Sequence, residues 1–227
     1  MKRISFLLVL PFFTILIGCG PDTIQEGEVE YVITYPNIEA SGFMEAILPK
    51  SMTIVFKGTK MKTLISKGEI FSTEVVSDET DRSMEMRFDM GDKLYYTQLT
   101  EDDLNELLHS QPNYEISKTS ESDSLVGLFA EAYSVYSPDD TVTYNNAWFT
   151  MALAPQNATW FSSYNEIKGF PLVYDVERYG VFMHVEAIDF RKREVKDSEF
   201  DRDPSLEAIS FEDYEFEVQE LFDILME

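Results

Sequence analysis

The sequence is poor in the residues that carry most enzyme and metal chemistry. Cys19 is its one cysteine, so no disulfide can form within the chain. Neither of its two histidines, His109 and His184, stands in a His-Glu-x-x-His motif or at another metal-ligand spacing. A Gly-x-Ser-x-Gly nucleophile motif and a glycine-rich phosphate loop are also missing from the sequence. The sequence therefore predicts a protein that is not an enzyme and uses no cofactor.

Basic residues are also scarce. The chain has 18 Lys and Arg against 42 Asp and Glu, which gives a formal net charge of −24. This balance excludes nucleic acid as a partner, because its phosphates attract basic side chains. It also argues against a domain that lies flat on anionic lipid head groups. The acidity is typical of a soluble surface that repels its neighbours, and a cationic partner is the alternative.

Carboxylates are abundant, and one group of them alternates along the chain in the manner of a calcium loop. The missing central glycine and the presence of Pro204 depart from that pattern, so we predict a solvated charged loop over 191–204 and keep calcium as the alternative. A glycosidase pair of carboxylates stays open, because it depends on a separation in three dimensions. Four aromatic residues could form a sugar-stacking or ligand-gating cluster, and a plug in the core at the end of the sheet is the alternative; they are Trp148, Trp160, Phe161 and Tyr164. The alternating carboxylates are Asp197, Glu199, Asp201 and Asp203.

The longest apolar run, residues 4–17, is too short to cross a bilayer core, which needs about 20 residues. It follows the basic pair Lys2 and Arg3, and this layout is that of a secretory signal. The run ends in Leu16-Ile17-Gly18-Cys19, which resembles the lipobox of bacterial lipoproteins. An incidental cysteine after an ordinary signal peptide is the alternative.

The lipobox resemblance implies cleavage after Gly18, a diacylglycerol thioether on the Cys19 sulfur and an acylated new amino terminus. We therefore predict a signal peptide over 1–18, a lipidated tether over 19–27 and a single β-rich domain over 28–227. The predicted partner is a membrane, held through the lipid, and the predicted location is the bacterial cell envelope. Gly20 stands where some bacterial lipoproteins carry a retention aspartate, which favours the outer membrane.

Beyond the tether, apolar and polar residues alternate with a period of two, which is typical of half-buried strands. The closely spaced turns between these runs predict an antiparallel meander. The predicted strands begin at Val29 and continue over 52–56, 61–66, 70–76, 84–90, 93–99, 114–118, 128–136, 141–151, 170–176 and 181–190. We expect a polar link over 117–124 and a loop with a helical turn over 154–169.

Two capping boxes predict helices. Thr100 with Asp103 precedes a leucine stripe, and Ser210 with Asp213 precedes an apolar stripe over 211–226. The predicted fold class is thus α+β, a large curved antiparallel sheet of half-barrel form with two or three short helices covering one face.

The order of the predicted strands and turns extends the resemblance to lipoproteins from the first 20 residues to the domain that follows. Ile47-Leu48-Pro49, residues 52–58 and residues 168–172 are similar to segments of uncharacterised Gram-negative envelope lipoproteins with a LolA/LolB-like half-barrel. That resemblance implies a hollow between sheet and helices for a hydrophobic ligand, and it carries over no catalytic residue.

A methionine-rich face is the candidate ligand site, because methionine side chains adapt to irregular partners. Its members are Met52, Met61, Met84, Met86 and Met90. The alternative is that the last helix fills this surface.

We therefore predict a lipid-anchored envelope protein that binds a hydrophobic or acyl ligand or another envelope component. The alternative is a structural or interaction lipoprotein with a filled core and no ligand. A cavity of about 300 Å³ or more separates the two. An enzyme would need a cleft with converging carboxylates, or a carboxylate beside a histidine.

Overall fold

The computed structural model describes residues 23–38, 48–138, 144 and 146–226, with side chains to residue 223. The predicted signal peptide, Cys19 and the segment 39–47 lie outside the described residues. Twelve strands of the described part form one sheet, in the order β12-β6-β5-β4-β3-β2-β1-β11-β10-β9-β8-β7. The strands are β1 (Glu26–Thr34), β2 (Ser51–Lys57), β3 (Lys60–Lys67), β4 (Phe71–Asp78), β5 (Ser83–Met90), β6 (Lys93–Gln98), β7 (Glu115–Leu125), β8 (Leu128–Tyr136), β9 (Ala147–Thr150), β10 (Phe170–Arg178), β11 (Val181–Arg191) and β12 (Glu207–Ala208).

The alternation of apolar and polar residues explains why the central strand β1 buries one of its two faces. On β1, Val29, Tyr31 and Ile33 are buried while the residues between them are half-buried. β1 pairs antiparallel with β2 and also with β11, which lies far along the chain. From β2 to β6 each strand pairs with the next as a meander. The α+β class and the large, mostly antiparallel sheet are confirmed.

Two helices cover one face of the sheet, the inner face, which carries Met84, Met86 and Phe88. Helix α1 (Glu101–His109) begins with the predicted capping box, in which the Thr100 hydroxyl accepts from the Asp103 backbone N–H. Helix α2 (Phe211–Met226) begins at Ser210, whose hydroxyl accepts from the Asp213 N–H at 3.1 Å. The start of each helix is therefore determined by a local capping residue in the sequence.

Three of the predicted strands differ in their bounds, and β12 was not predicted. β1 begins at Glu26, inside the expected tether, and Ile24 already pairs with Leu153. The polar link expected over 117–124 is wrong, because β7 runs unbroken to Leu125. Among the described strands, β7 lies at the edge of the sheet and pairs with β8 alone. Its backbone hydrogen bonds to β8 form the strand, although its side chains do not alternate between apolar and polar. β9 is shorter than the expected strand over 141–151, and 141–143 lie outside the described residues.

Residues 192–206 cross the outer face of the sheet from β11 towards β6, and we call this segment the strap. Val195 and Phe200 are buried against Val55 of β2. Arg87 of β5 is also buried beneath the strap, although the alternation placed it on a solvated face. The expectation of a wholly solvated charged loop is therefore wrong. Among the described residues no three His, Cys, Asp or Glu groups converge on a metal-sized site.

Ion pairs hold the strap in place. The Arg193 guanidinium donates to Glu28 of β1 at 2.8 Å and to Glu199 of the strap at 2.6 Å. Its hydrogen bond to Glu199 lowers the pKa of that carboxyl to about 2. Lys57 of β2 donates to Asp197 at 2.7 Å. The abundant charge of this stretch thus serves cross-chain contacts as well as solubility.

Candidate functional site

The inner face is incompletely covered, and two cavities remain beneath its cover. The cover consists of α1, α2 and residues 152–169, which we call the covering loop. The tight approach of Gly169 to β9 fixes the end of this loop, since a Cβ there would lie 2.7 Å from the Thr150 carbonyl oxygen. Gly169 also has a φ of +117°, a conformation that favours glycine.

The larger cavity has a volume of about 630 Å³. Its floor is formed by Val75 of β4 with Met84 and Met86 of β5, which are neighbours because Val75 pairs with Met86. Leu107 of α1 and Phe161 of the covering loop close it from above. Its solvent-exposed rim comprises Ser110, Gly180, Phe216 and Gln219.

Helix α2 occupies only part of the methionine face. Its residue Tyr214 contacts Phe88 edge-on, with ring centroids 6.5 Å apart, and donates from its hydroxyl to the Arg87 carbonyl at 3.3 Å. Burial raises the pKa of Tyr214, so this hydroxyl keeps its proton. The apolar stripe of α2 therefore fills the region above Phe88, and the larger cavity lies beside it.

A smaller cavity of about 180 Å³ adjoins the larger one. Met52 of β2 and Met61 of β3 line it, together with Met183 of β11. Val75 and Phe161 line both cavities. The two spaces therefore lie side by side along the inner face, with shared side chains between them.

Two charged residues of the larger cavity, Arg178 and Glu215, are paired with each other. The Arg178 guanidinium, near the tip of the β10–β11 hairpin, donates to Glu215 of α2 at 2.6 Å. The Tyr179 hydroxyl donates to the same Glu215 oxygen at 3.0 Å, and the Tyr179 ring stacks on Phe222. Burial raises the pKa of Tyr179, so this donor stays protonated. The hairpin and α2 are thus joined where the cavity wall is polar.

The five predicted methionines are divided by the structure. Met52 and Met61 line the smaller cavity and Met84 and Met86 line the larger one. Met90 packs at the edge of the same core cluster and lines neither space. Two of the four predicted aromatic residues, Phe161 and Tyr164, line both cavities. The sequence did not identify other residues of the wall opposite the methionines, such as Leu107.

The four aromatic residues of the predicted sugar-stacking or ligand-gating cluster do not lie together. Trp160 is buried with the α2 core, Tyr164 with a cluster around Tyr114, and Trp148 packs against the central core. Phe161 alone of these four packs against two of these clusters. A common sugar-stacking platform of Trp148, Trp160, Phe161 and Tyr164 is therefore not formed.

One histidine has a carboxylate partner. His184 Nδ1 lies 2.6 Å from Asp175 Oδ1, and the two residues are opposite each other on β11 and β10. Asp175 is buried, and its carbonyl accepts from the Tyr164 hydroxyl at 2.6 Å. Neither His184 nor Asp175 lines the two cavities. His109 bonds the Asn105 carbonyl within α1.

Comparison with known proteins gives no family. No family model matches the chain, and no curated protein matches it. Among solved structures, a domain described as an outer-membrane lipoprotein-sorting protein from Vibrio parahaemolyticus is similar at 9% identity and a TM-score of 0.23, covering 79% of this chain and 91% of that one. A LolA superfamily protein from Nitrosomonas europaea is similar at 11% identity and a TM-score of 0.20, with coverage of 79% and 91%. Scores of this size carry no argument about function.

Among the described residues, no helix has the length and apolar character needed to cross a membrane.

Proposed function

We propose that this chain is a lipid-anchored protein of the bacterial envelope that binds an acyl chain or another apolar ligand in the larger cavity. The volume of that cavity carries the proposal. At about 630 Å³ it lies within the range of roughly 300–1,000 Å³ that is usual for small-molecule sites. A structural lipoprotein with a filled core, the competing hypothesis, would need this space to be occupied by side chains.

The chemistry of the walls supports an apolar ligand. Val75, Met84, Met86 and Leu107 offer only carbon, hydrogen and sulfur to the interior. Methionine side chains rotate about three bonds, so a floor made from two of them can adapt to the irregular outline of a flexible chain. Arg178 and Glu215 of the wall are paired with each other at 2.6 Å, so this pair does not call for a charged ligand.

The anchor half of the proposal depends on the lipobox-like quartet that ends at Cys19. Several acyl chains on one cysteine would hold the protein on a membrane, because each buried methylene contributes about 0.8 kcal/mol and a single chain is marginal. Such an anchor would keep the cavity close to a source of acyl chains. We assign the protein to the outer membrane because Gly20 stands where some bacterial lipoproteins carry a retention aspartate.

Two substitutions on neighbouring residues of β4 test the cavity. Val75→Phe places a ring in the shared wall of both cavities, whereas Val76→Phe places the same ring on the outer face, where Val76 packs beside the strap. The probe is the uncharged dye N-phenylnaphthylamine, whose fluorescence rises in apolar surroundings. We expect the original chain and Val76→Phe to bind the dye and Val75→Phe to lose at least about tenfold in affinity, or 1.4 kcal/mol.

Equal dye binding by the two variants would contradict the proposal and favour the structural hypothesis. Unfolding by urea, followed through the tryptophans, controls for a general loss of structure in either variant. A variant that unfolds at the same urea concentration as the original chain reports on the cavity alone.

A further inference from the structure

We infer that the domain meets its anchoring membrane end-on, through an apolar patch beside the point where the tether leaves the fold. The patch consists of Leu125, Val126, Phe129 and Met151. This inference rests on the proposed lipid anchor at Cys19, and it adds the surface of the domain that contacts the bilayer.

The starting point is where the chain enters the sheet. The Ile24 N–H donates to the Ala152 carbonyl and the Ala154 N–H donates to the Ile24 carbonyl, both at 2.8 Å. These two bonds fix the amino-terminal end of the domain against the start of the covering loop. Cys19 precedes Thr23 by four residues, and four peptide links reach at most about 14 Å. A lipid on Cys19 therefore holds this end of the domain close to the bilayer surface.

Large apolar side chains are exposed at the same place. Met151, the neighbour of Ala152, is 49% exposed, and Phe129 is 64% exposed. Phe129 and Met151 are adjacent in space, because the Thr150 hydroxyl donates to the Phe129 carbonyl at 2.7 Å. The β8–β9 register, with Glu131 opposite Phe149, extends to place Phe129 opposite Met151.

The β7–β8 hairpin enlarges this patch. Its tip is the sequence Leu125-Val126-Gly127-Leu128, an apolar run at a turn, where polar residues are more usual. Val126 adopts a positive φ of 46°, a conformation that is uncommon for a β-branched residue. Leu125 and Val126 are half-buried against the central core and lie at the same end of the sheet as Phe129, because Leu125 pairs with Leu128 at the hairpin tip.

The bilayer is the occupant that these observations favour. A short tether greatly raises the effective concentration of the patch at the membrane, so a few apolar side chains suffice for a stable contact. An apolar tip next to a lipid attachment point thus has its partner within reach.

The same geometry directs the larger cavity away from the membrane. Arg191, at the end of β11, pairs with Glu28 near the tether, whereas Gly180 of the cavity rim precedes the start of β11. Arg191 lies ten positions after Val181, which corresponds to about 33 Å along an extended strand. The rim therefore faces the aqueous side, where a ligand can be passed to or taken from another component.

Depth-dependent quenching tests the contact. In the full lipidated chain the Cys19 sulfur is blocked, so a cysteine introduced by Met151→Cys or by Ile70→Cys takes a single nitrobenzoxadiazole label. Ile70 is a matched control, since it is 53% exposed and lies in the β3–β4 turn at the far end of the sheet. The proteins are reconstituted in phosphatidylcholine vesicles with brominated acyl chains, and Phe129→Cys provides a second position within the patch.

We expect several-fold stronger quenching at 151 and 129 than at 70. Equal quenching at the three positions, or stronger quenching at 70, would overturn the inference. Mass spectrometry of the labelled protein reports whether Cys19 carries lipid, and a free Cys19 would overturn the inference together with its premise. Quenching does not require an occupied cavity, so a failure of the cavity to bind a ligand would not change the quenching result. The two proposals can therefore fail independently.

Discussion

Replacing Arg87 by alanine should be the most damaging change on the outer face of the sheet. Arg87 is only 6% exposed and donates to two carboxylates, Glu85 at 2.7 Å and Glu74 at 2.8 Å. It also donates to two strap carbonyls, those of Phe200 at 2.7 Å and Asp201 at 3.0 Å. Arg87→Ala therefore removes four contacts, two of which join β5 to the strap.

The loss in free energy of unfolding depends on which partners the two carboxylates keep after Arg87 is removed. Loss of one partner of a buried ion pair costs about 3–5 kcal/mol, because the other charge stays buried. Glu85 keeps Arg202 at 2.8 Å and Glu74 keeps Lys62 at 3.6 Å, so the carboxylates are not left alone. We therefore expect a loss at the lower end, about 3 kcal/mol in the free energy of unfolding.

Urea unfolding followed by tryptophan fluorescence measures this loss. Arg202→Ala is the matched control, because Arg202 donates to the same Glu85 from the solvent side and is 36% exposed in its side chain. An exposed pair of this kind contributes less than about 1 kcal/mol. A loss below about 1 kcal/mol for Arg87→Ala, or equal losses for the two variants, would refute the reasoning that the strap is held through Arg87.

Three further predictions concern the cover and the strap. Gly169→Ala should lower the free energy of unfolding by more than about 1 kcal/mol, because its positive φ and the nearby Thr150 carbonyl both oppose a Cβ; a neutral effect in thermal unfolding would count against the described loop. Tyr164→Phe should cost about 1–3 kcal/mol, since the Asp175 carbonyl loses its buried donor, and urea titration would show whether it does. Glu199 has a pKa of about 2, below its ordinary 4.5, so its stabilising contribution is complete above pH 4.5 and is lost as the pH falls towards 2. The stability difference between the original chain and Glu199→Gln should shrink over that interval, and a difference that is constant with pH would exclude the Arg193 pair as its cause.

Local patterns in the sequence were sufficient for most of the sheet and both helices. The alternation through Val29, Tyr31 and Ile33 predicts a strand because a period of two separates a buried from an exposed face. The boxes at Thr100 and Ser210 mark helix starts, since each places a side-chain oxygen on an otherwise unpaired N–H. These signals act within a few residues, so they can be interpreted without knowledge of the partners.

Features that depend on distant contacts could not be predicted in this way. Arg87 is buried because Phe200 and Asp201 lie above it, 113 and 114 residues further along the chain. β7 reads as a polar link because its order comes from pairing with β8 rather than from its own side chains. In both cases the local pattern is consistent with two environments, and tertiary contacts decide between them.

The candidate site shows the same division. The spacing of Met84 and Met86 placed them on one face of one strand, and they form part of the cavity floor. Phe161 and Glu215 belong to other segments, and only the fold brings them to the same space. The floor of the cavity was thus accessible from sequence, whereas its volume was not.

The central claim is that an apolar molecule occupies the larger cavity, and solvent extraction tests it most directly. Organic solvent removes lipids that are not covalently attached, whereas the proposed thioether-linked anchor would stay on Cys19. Mass spectrometry of extracts from the original chain, Val75→Phe and Val76→Phe would then quantify each lipid per protein molecule. We predict that one lipid class is enriched in the original chain and in Val76→Phe and is depleted in Val75→Phe. Identical extracts from all three proteins would contradict the claim that the cavity holds a ligand.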